Sequence, residues 1–215
     1  MSTLISFFST YIFLLSAREV QKQILILGAL FALITPFIEH ANLADWWSPV
    51  FVWDTFFHIE DLLFGFGLTG TALGTYFWIS KGVRAKIEKQ AVFPRASKVV
   101  LTIAAACLMF GPFYLMHIPS FYTEITCMIV LSACVCARVP RMILPAIATG
   151  IILTLIVLPG YFVATHFHPG WIQEYWKLAG WPGELFLGVP IGEYVFYLLS
   201  GLFIPAFAEA FFAKK

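Results

Sequence analysis

Glu60, Asp61 and Glu193 stand at the starts of two long apolar runs, where an ionisable group is expensive. A charge at the centre of a bilayer costs about 2.5–3.5 kcal/mol on insertion scales, so such a residue usually faces a bundle interior and has a task. The task open to carboxylic acids in a dry site is proton transfer. Burial keeps one acid protonated, and a neighbouring donor holds another ionised. His58 precedes Asp61 by three residues and can serve as that donor. On a helix, His58, Asp61, Leu62, Gly65 and Thr69 share a face, while Glu60 points about 100° away, toward Leu63, Phe64 and Gly67. The acids of one motif are therefore not expected to serve one point. The plainer alternative is a set of carboxylates at interface depth, reaching water or facing a helix N-terminus.

The elements that carry these acids must be membrane helices. The chain has 215 residues, of which 60% are hydrophobic and only 12% charged. Soluble domains carry about 25% charged residues. Half of that cannot coat a globule of this size, which argues against a soluble enzyme, a nucleic-acid binder and a disordered regulator. The four cysteines all lie in apolar runs, which is not a disulfide framework. Cys134 and Cys136, two positions apart, fall on different helix faces. The N-terminus has no basic n-region and no small-residue cleavage site, so the first apolar run is expected to stay in the mature protein.

Seven apolar runs approach the roughly 20 residues that a span requires. They cover about 2–17, 23–40, 50–80, 97–117, 121–137, 142–164 and 184–212. All but Lys177 of the 13 Lys and Arg fall in gaps on one side of such a seven-span chain: Arg18 and Lys22, the 81–98 cluster, Arg138 and Arg141, and Lys214 and Lys215. Basic loops stay cytoplasmic, so the expected layout in the cell membrane is N-terminus outside and C-terminus inside. The other side collects Glu39, Asp45, Asp54, Glu174 and Glu184, with His40, His166 and His168 and six tryptophans. The run from Trp171 to Trp176 predicts a short helix lying in the outer interface, read as a belt anchor without chemistry.

The two ends of the chain resemble each other. Ala17-Arg18 and Ala137-Arg138 close spans one and five, and Pro36 and Pro159 sit late in spans two and six. His58-Ile59-Glu60-Asp61-Leu62-Leu63-Phe64 opens span three, and Pro190-Ile191-Gly192-Glu193-Tyr194-Val195-Phe196 opens span seven. Asp61 then matches Glu193, and Phe64 matches Phe196. The expected architecture is an all-α polytopic bundle with a 3+1+3 parallel internal repeat: unit 1–80, a basic loop and linker helix over 81–118, and unit 119–215.

These motifs resemble the membrane-embedded lycopene cyclases of bacteria, archaea and fungi, in their fused two-unit form. Each unit of that family carries Pro-x-Glu-(Glu/Asp) followed by a Leu/Phe-rich helix. The counterparts are His58-Ile59-Glu60-Asp61 with Phe64, and Pro190-Ile191-Gly192-Glu193 with Phe196. Trp53-Asp54 and Leu187-Gly188, just before the two motifs, are also similar. His58 stands where the family has Pro, and Gly192 where it has the first acid. The resemblance implies a redox-neutral cyclisation of a polyene or isoprenoid end group, without a cofactor or metal. Asp61, Glu193 and Glu60 would be catalytic, and His58, Phe64, Pro190 and Phe196 would bind substrate. The implied partners are membrane lipid and a hydrophobic polyene, not nucleic acid, with self-association left open.

Two other readings stay open. A non-catalytic carotenoid or isoprenoid binder fits the same residues, and intramembrane acids in parallel repeats also suit a small proton-coupled transporter. A retinal photoreceptor is excluded, because no lysine lies between Lys177 and Lys214 for a Schiff base. His40, His166 and His168 beside Glu39 and Glu174 make only a weak metal pattern.

Overall fold

The computed structural model describes residues 9, 11–12, 16, 18–51, 56–90, 93–177 and 181–212. Helices dominate it: α1 (Arg18–Asp45), α2 (Ile59–Ser80), α3 (Arg84–Gln90), α4 (Arg95–Met116), α5 (Ser120–Arg138), α6 (Ile143–Phe167), α7 (Trp171–Tyr175) and α8 (Ile191–Phe212). A 3-10 turn at Pro140–Met142 leads into α6. Six of the described helices are long and apolar enough to cross a membrane, with Pro140–Phe167 acting as one span. The chain is a multi-pass, all-helical membrane protein. The expected first span, 2–17, lies almost wholly outside the described residues, as do Trp53, Asp54, Lys214 and Lys215.

Three spans differ in their bounds from the sequence reading, among them α2, which starts at Ile59 rather than 50. α1 takes in Arg18 and Lys22 and runs on to Asp45, beyond the expected end at 40. Its C-terminus is capped from outside: Lys177 Nζ donates to the carbonyls of Leu43 and Ala44 at 2.8 and 2.7 Å. A cation there satisfies orphan carbonyls and meets the negative end of the helix dipole. This accounts for Lys177 standing apart from the other basic residues. α8 starts at Ile191 rather than 184, because the stretch before it is a hairpin. β1 (Leu185–Phe186) pairs with β2 (Val189–Pro190). Leu187 and Gly188 both have positive φ, 52° and 77°, as a two-residue hairpin turn that follows strand twist requires.

The most extensively packed helix pairs are α1 with α2 and α6 with α8. Small residues permit this. A Cβ on Gly201 would run into the backbone of Gly150, and one on Gly150 into the Leu198 carbonyl. Gly65 lies against the Phe31 carbonyl of α1 in the same manner. Close backbone approach at small residues is the usual means of helix association in lipid. Leu27, Leu73, Leu153, Val157 and Ile204 fill the core, and Phe31 meets Phe203 and Phe207 edge-on. By contrast, α4 packs mainly on α5 and leaves Val99, Val100 and Ile103 exposed.

At one end of the bundle, α3 is pinned to the end of α8. Arg84 forms ion pairs with Glu88 at 3.0 Å and with buried Glu209, and lies 4.5 Å over the Phe77 ring. The ends of α1 and α6 and the starts of α2, α5 and α8 meet at the opposite end of the bundle.

Candidate functional site

That opposite end encloses a cavity of about 380 Å³. Asp61 and Glu193 both line it, with Glu60, Phe64 and Phe196. The two motif acids occupy the same helical position, each being the third residue of its helix. There the positive end of the helix dipole favours a carboxylate, yet both residues are buried, at 5% and 8% exposure. Both acids therefore stand at helix starts and inside the bundle. Glu60 was expected to serve a different point from Asp61. It lines the same cavity, which is wide enough to be reached from two helix faces.

The two acids have different partners. Asp61 Oδ2 lies 3.0 Å from His58 Nδ1. His58 is not helical; it immediately precedes α2 in extended conformation, and its ring stacks on Phe51, with centroids 3.4 Å apart. Glu193 instead accepts three hydrogen bonds. The indole of Trp46 donates to Oε1 at 3.2 Å and that of Trp176 at 3.0 Å, while the Tyr161 hydroxyl donates to Oε2. The three donors satisfy carboxyl oxygens that burial has removed from water.

The backbone explains how two tryptophans far apart in sequence reach one carboxylate. Ser48 N–H donates to the Tyr175 carbonyl at 2.7 Å, and Lys177 N–H to the Trp46 carbonyl at 3.0 Å. This bridge clamps the end of α1 to the end of α7 and aims both indoles inward. Asp45 adds a second clamp by capping α5, accepting from the Ser120 amide at 2.8 Å and from the Ser120 hydroxyl. A carboxylate brought to a helix start from another element satisfies an orphan amide and suits the dipole.

The short helix α7 is present as predicted, but it is more than an anchor. Trp171, Tyr175 and Trp176 all line the cavity. His58 and Pro190 stand behind the wall. His58 acts on Asp61, and buried Pro190 leads into α8, whose first amides are met by the carbonyls of Glu184 at 2.8 Å and Pro182 at 2.9 Å.

Sequence reasoning passed over two of the acids here. Glu39, from α1, and Glu124, from α5, also line the cavity and are buried. Glu124 stands in an apolar run, so the argument applied to Asp61 could have found it. Glu39 was read only as part of the outer face. Tyr161 follows Pro159 by two residues, and nothing in its local sequence marks it. Among the described residues, no three His, Cys, Asp or Glu side chains converge as metal ligands.

Comparison with family models, with curated proteins and with solved structures finds no match for the chain.

Proposed function

We propose that the chain is a membrane-embedded cyclase, similar to the lycopene cyclases, acting on the end group of a polyene or other isoprenoid. The observation that carries this reading is the convergence of Asp61 and Glu193, from matched motifs, on one aromatic-lined cavity. Phe64 and Phe196, also matched, stack near them with centroids 6.3 Å apart. The pairing of α1 with α2 and of α6 with α8 is what two duplicated three-helix units would produce. The volume suits an end group rather than a whole carotenoid.

The partners of the two acids suggest a division of labour. The Asp61–His58 pair holds a mobile proton between two buried groups and acts as the donor. Its proton adds to the terminal alkene and leaves a tertiary cation. An internal double bond attacks that cation, forming the ring carbon–carbon bond and moving the positive charge into the ring. Glu193, oriented by hydrogen bonds from Trp46, Trp176 and Tyr161, removes a ring proton in its carboxylate form and restores a double bond. Returning that proton to Asp61 closes the cycle, so the product is an isomer of the substrate. Aromatic faces stabilise cations within about 6 Å of their centroids, a role open to Phe64, Phe196 and Tyr197.

In this reading the acid-rich end of the bundle faces outward and the basic α3 end faces the cytoplasm, with the N-terminus outside the cell membrane. The test is expression in a bacterial host that accumulates lycopene, with pigments resolved by chromatography and mass. A ring-bearing isomer of unchanged mass, lost in Asp61→Asn and in Glu193→Gln, is the expected result. Unchanged lycopene from well-expressed protein would sink the lycopene substrate and move weight to another isoprenoid or to binding without turnover.

A further inference from the structure

The polar groups around the cavity are unevenly satisfied. Trp46, Trp176 and Tyr161 donate to Glu193, while Trp47 bonds Glu39 and Asn42 bonds Glu124, one hydrogen bond to each of these two acids. One oxygen on each of these two acids remains. Glu39 Oε1 and Glu124 Oε1 have no hydrogen-bond partner among the described residues. Both side chains line the cavity although the residues are only 7% and 4% exposed. Buried acceptors left unpaired are costly and rare in native structures. Five carboxyl groups line the cavity, and among the described residues no lysine or arginine does.

The walls narrow the choice of ligand. Trp176 packs against Trp171 with centroids 5.0 Å apart and against Trp47 at 5.2 Å, and Tyr161 lies 6.0 Å from Trp176. Indole faces attract cations and cover apolar groups. A metal ion suits the site poorly, because among the described residues no three ligating side chains converge and hard cations take six or more oxygens. A positive charge, N–H donors and an apolar body answer all three features at once.

We propose that this cavity binds a small organic ammonium ion, with its N–H groups on Glu39 and Glu124 and its carbon body against the tryptophan walls. The site does not depend on cyclisation, since binding is read without turnover. The same chemistry could come from a free amine or from the ethanolamine headgroup of a lipid.

The experiment titrates 2-phenylethylammonium chloride into the purified full-length chain in neutral detergent, following tryptophan fluorescence and heat. A saturable response is expected in the wild type. Glu39→Gln and Glu124→Gln keep side-chain shape, and each should weaken binding at least tenfold. 2-Phenylethanol, of similar shape but neutral, should give no saturable response. Absence of a saturable response to the ammonium overturns the proposal. So does equal binding of the alcohol, which needs no variant, or unchanged affinity in both variants. In nanodiscs, phosphatidylethanolamine that raises the probe's apparent dissociation constant marks the lipid headgroup as occupant. No competition marks a free amine, and either result sustains the ammonium site.

Discussion

Trp46, the residue just past the end of α1, donates its indole N–H to Glu193 on α8, 3.2 Å away and 147 residues later in sequence. Trp176 donates to the same oxygen at 3.0 Å. The contact joins the end of α1 to the start of α8 and orients the carboxyl group on which the proposed chemistry depends. Trp46→Phe and Trp176→Phe each remove one donor while keeping an aromatic ring. A hydrogen bond to a charged group contributes about 1.5–3 kcal/mol. Each variant should lower the thermal midpoint in detergent, and the double variant should lower it further. Midpoints equal to wild type would mean that Glu193 does not rely on these indoles.

Arg84 supports a second prediction, at the other end of the bundle. Its guanidinium pairs with Glu209, which is only 3% exposed. Removing one partner of a buried pair costs about 3–5 kcal/mol because the other charge is stranded, while replacing both by apolar groups is often neutral. Arg84→Met should therefore destabilise strongly, and adding Glu209→Leu should recover most of the loss. A double variant no more stable than Arg84→Met would show that the pair is not the reason α3 stays docked.

Helix packing supplies the third prediction. Gly150 and Gly201 meet backbone to backbone between α6 and α8, whereas a Cβ on Gly111 in α4 would meet nothing within 4 Å. Gly201→Val should prevent assembly of the bundle, seen as loss of a monodisperse peak in size-exclusion chromatography. Gly111→Ala should be silent or slightly stabilising, because alanine is the better helix former. Equal tolerance at both sites would contradict the tight α6–α8 crossing.

How much of this was legible in the sequence depends on the range of the interaction. Helix type and rough extent followed from local apolar runs, since a backbone in lipid must satisfy its own hydrogen bonds. α4 came out as Arg95–Met116 against an expected 97–117, and α5 as Ser120–Arg138 against 121–137. The hairpin before α8 was missed, because an apolar run such as Leu185-Phe186-Leu187 looks like more helix until the turn conformation at Leu187-Gly188 is known. The motif acids could be found because charge in an apolar run is costly wherever it occurs. Tyr161, Trp46 and Trp176 could not, because their role lies in pairings across the whole chain. Glu124 was legible by the same rule as Asp61 and was passed over because it lies outside the repeated motif.

The distribution of charge yields the last prediction. The end with Arg84, Lys86 and Lys98 should face the cytoplasm, and the end with α7 should face outward, because basic loops resist translocation. Lys86 and His166 are both exposed and lie at opposite ends of the bundle. In a background with all four native cysteines replaced by serine or alanine, Lys86→Cys should react with a membrane-impermeant maleimide only after the cells are opened. His166→Cys should react in intact cells. The reverse pattern would invert the chain in the membrane. It would place the acid cavity at the cytoplasmic face, where an amine or an isoprenoid end group would have to enter from inside the cell.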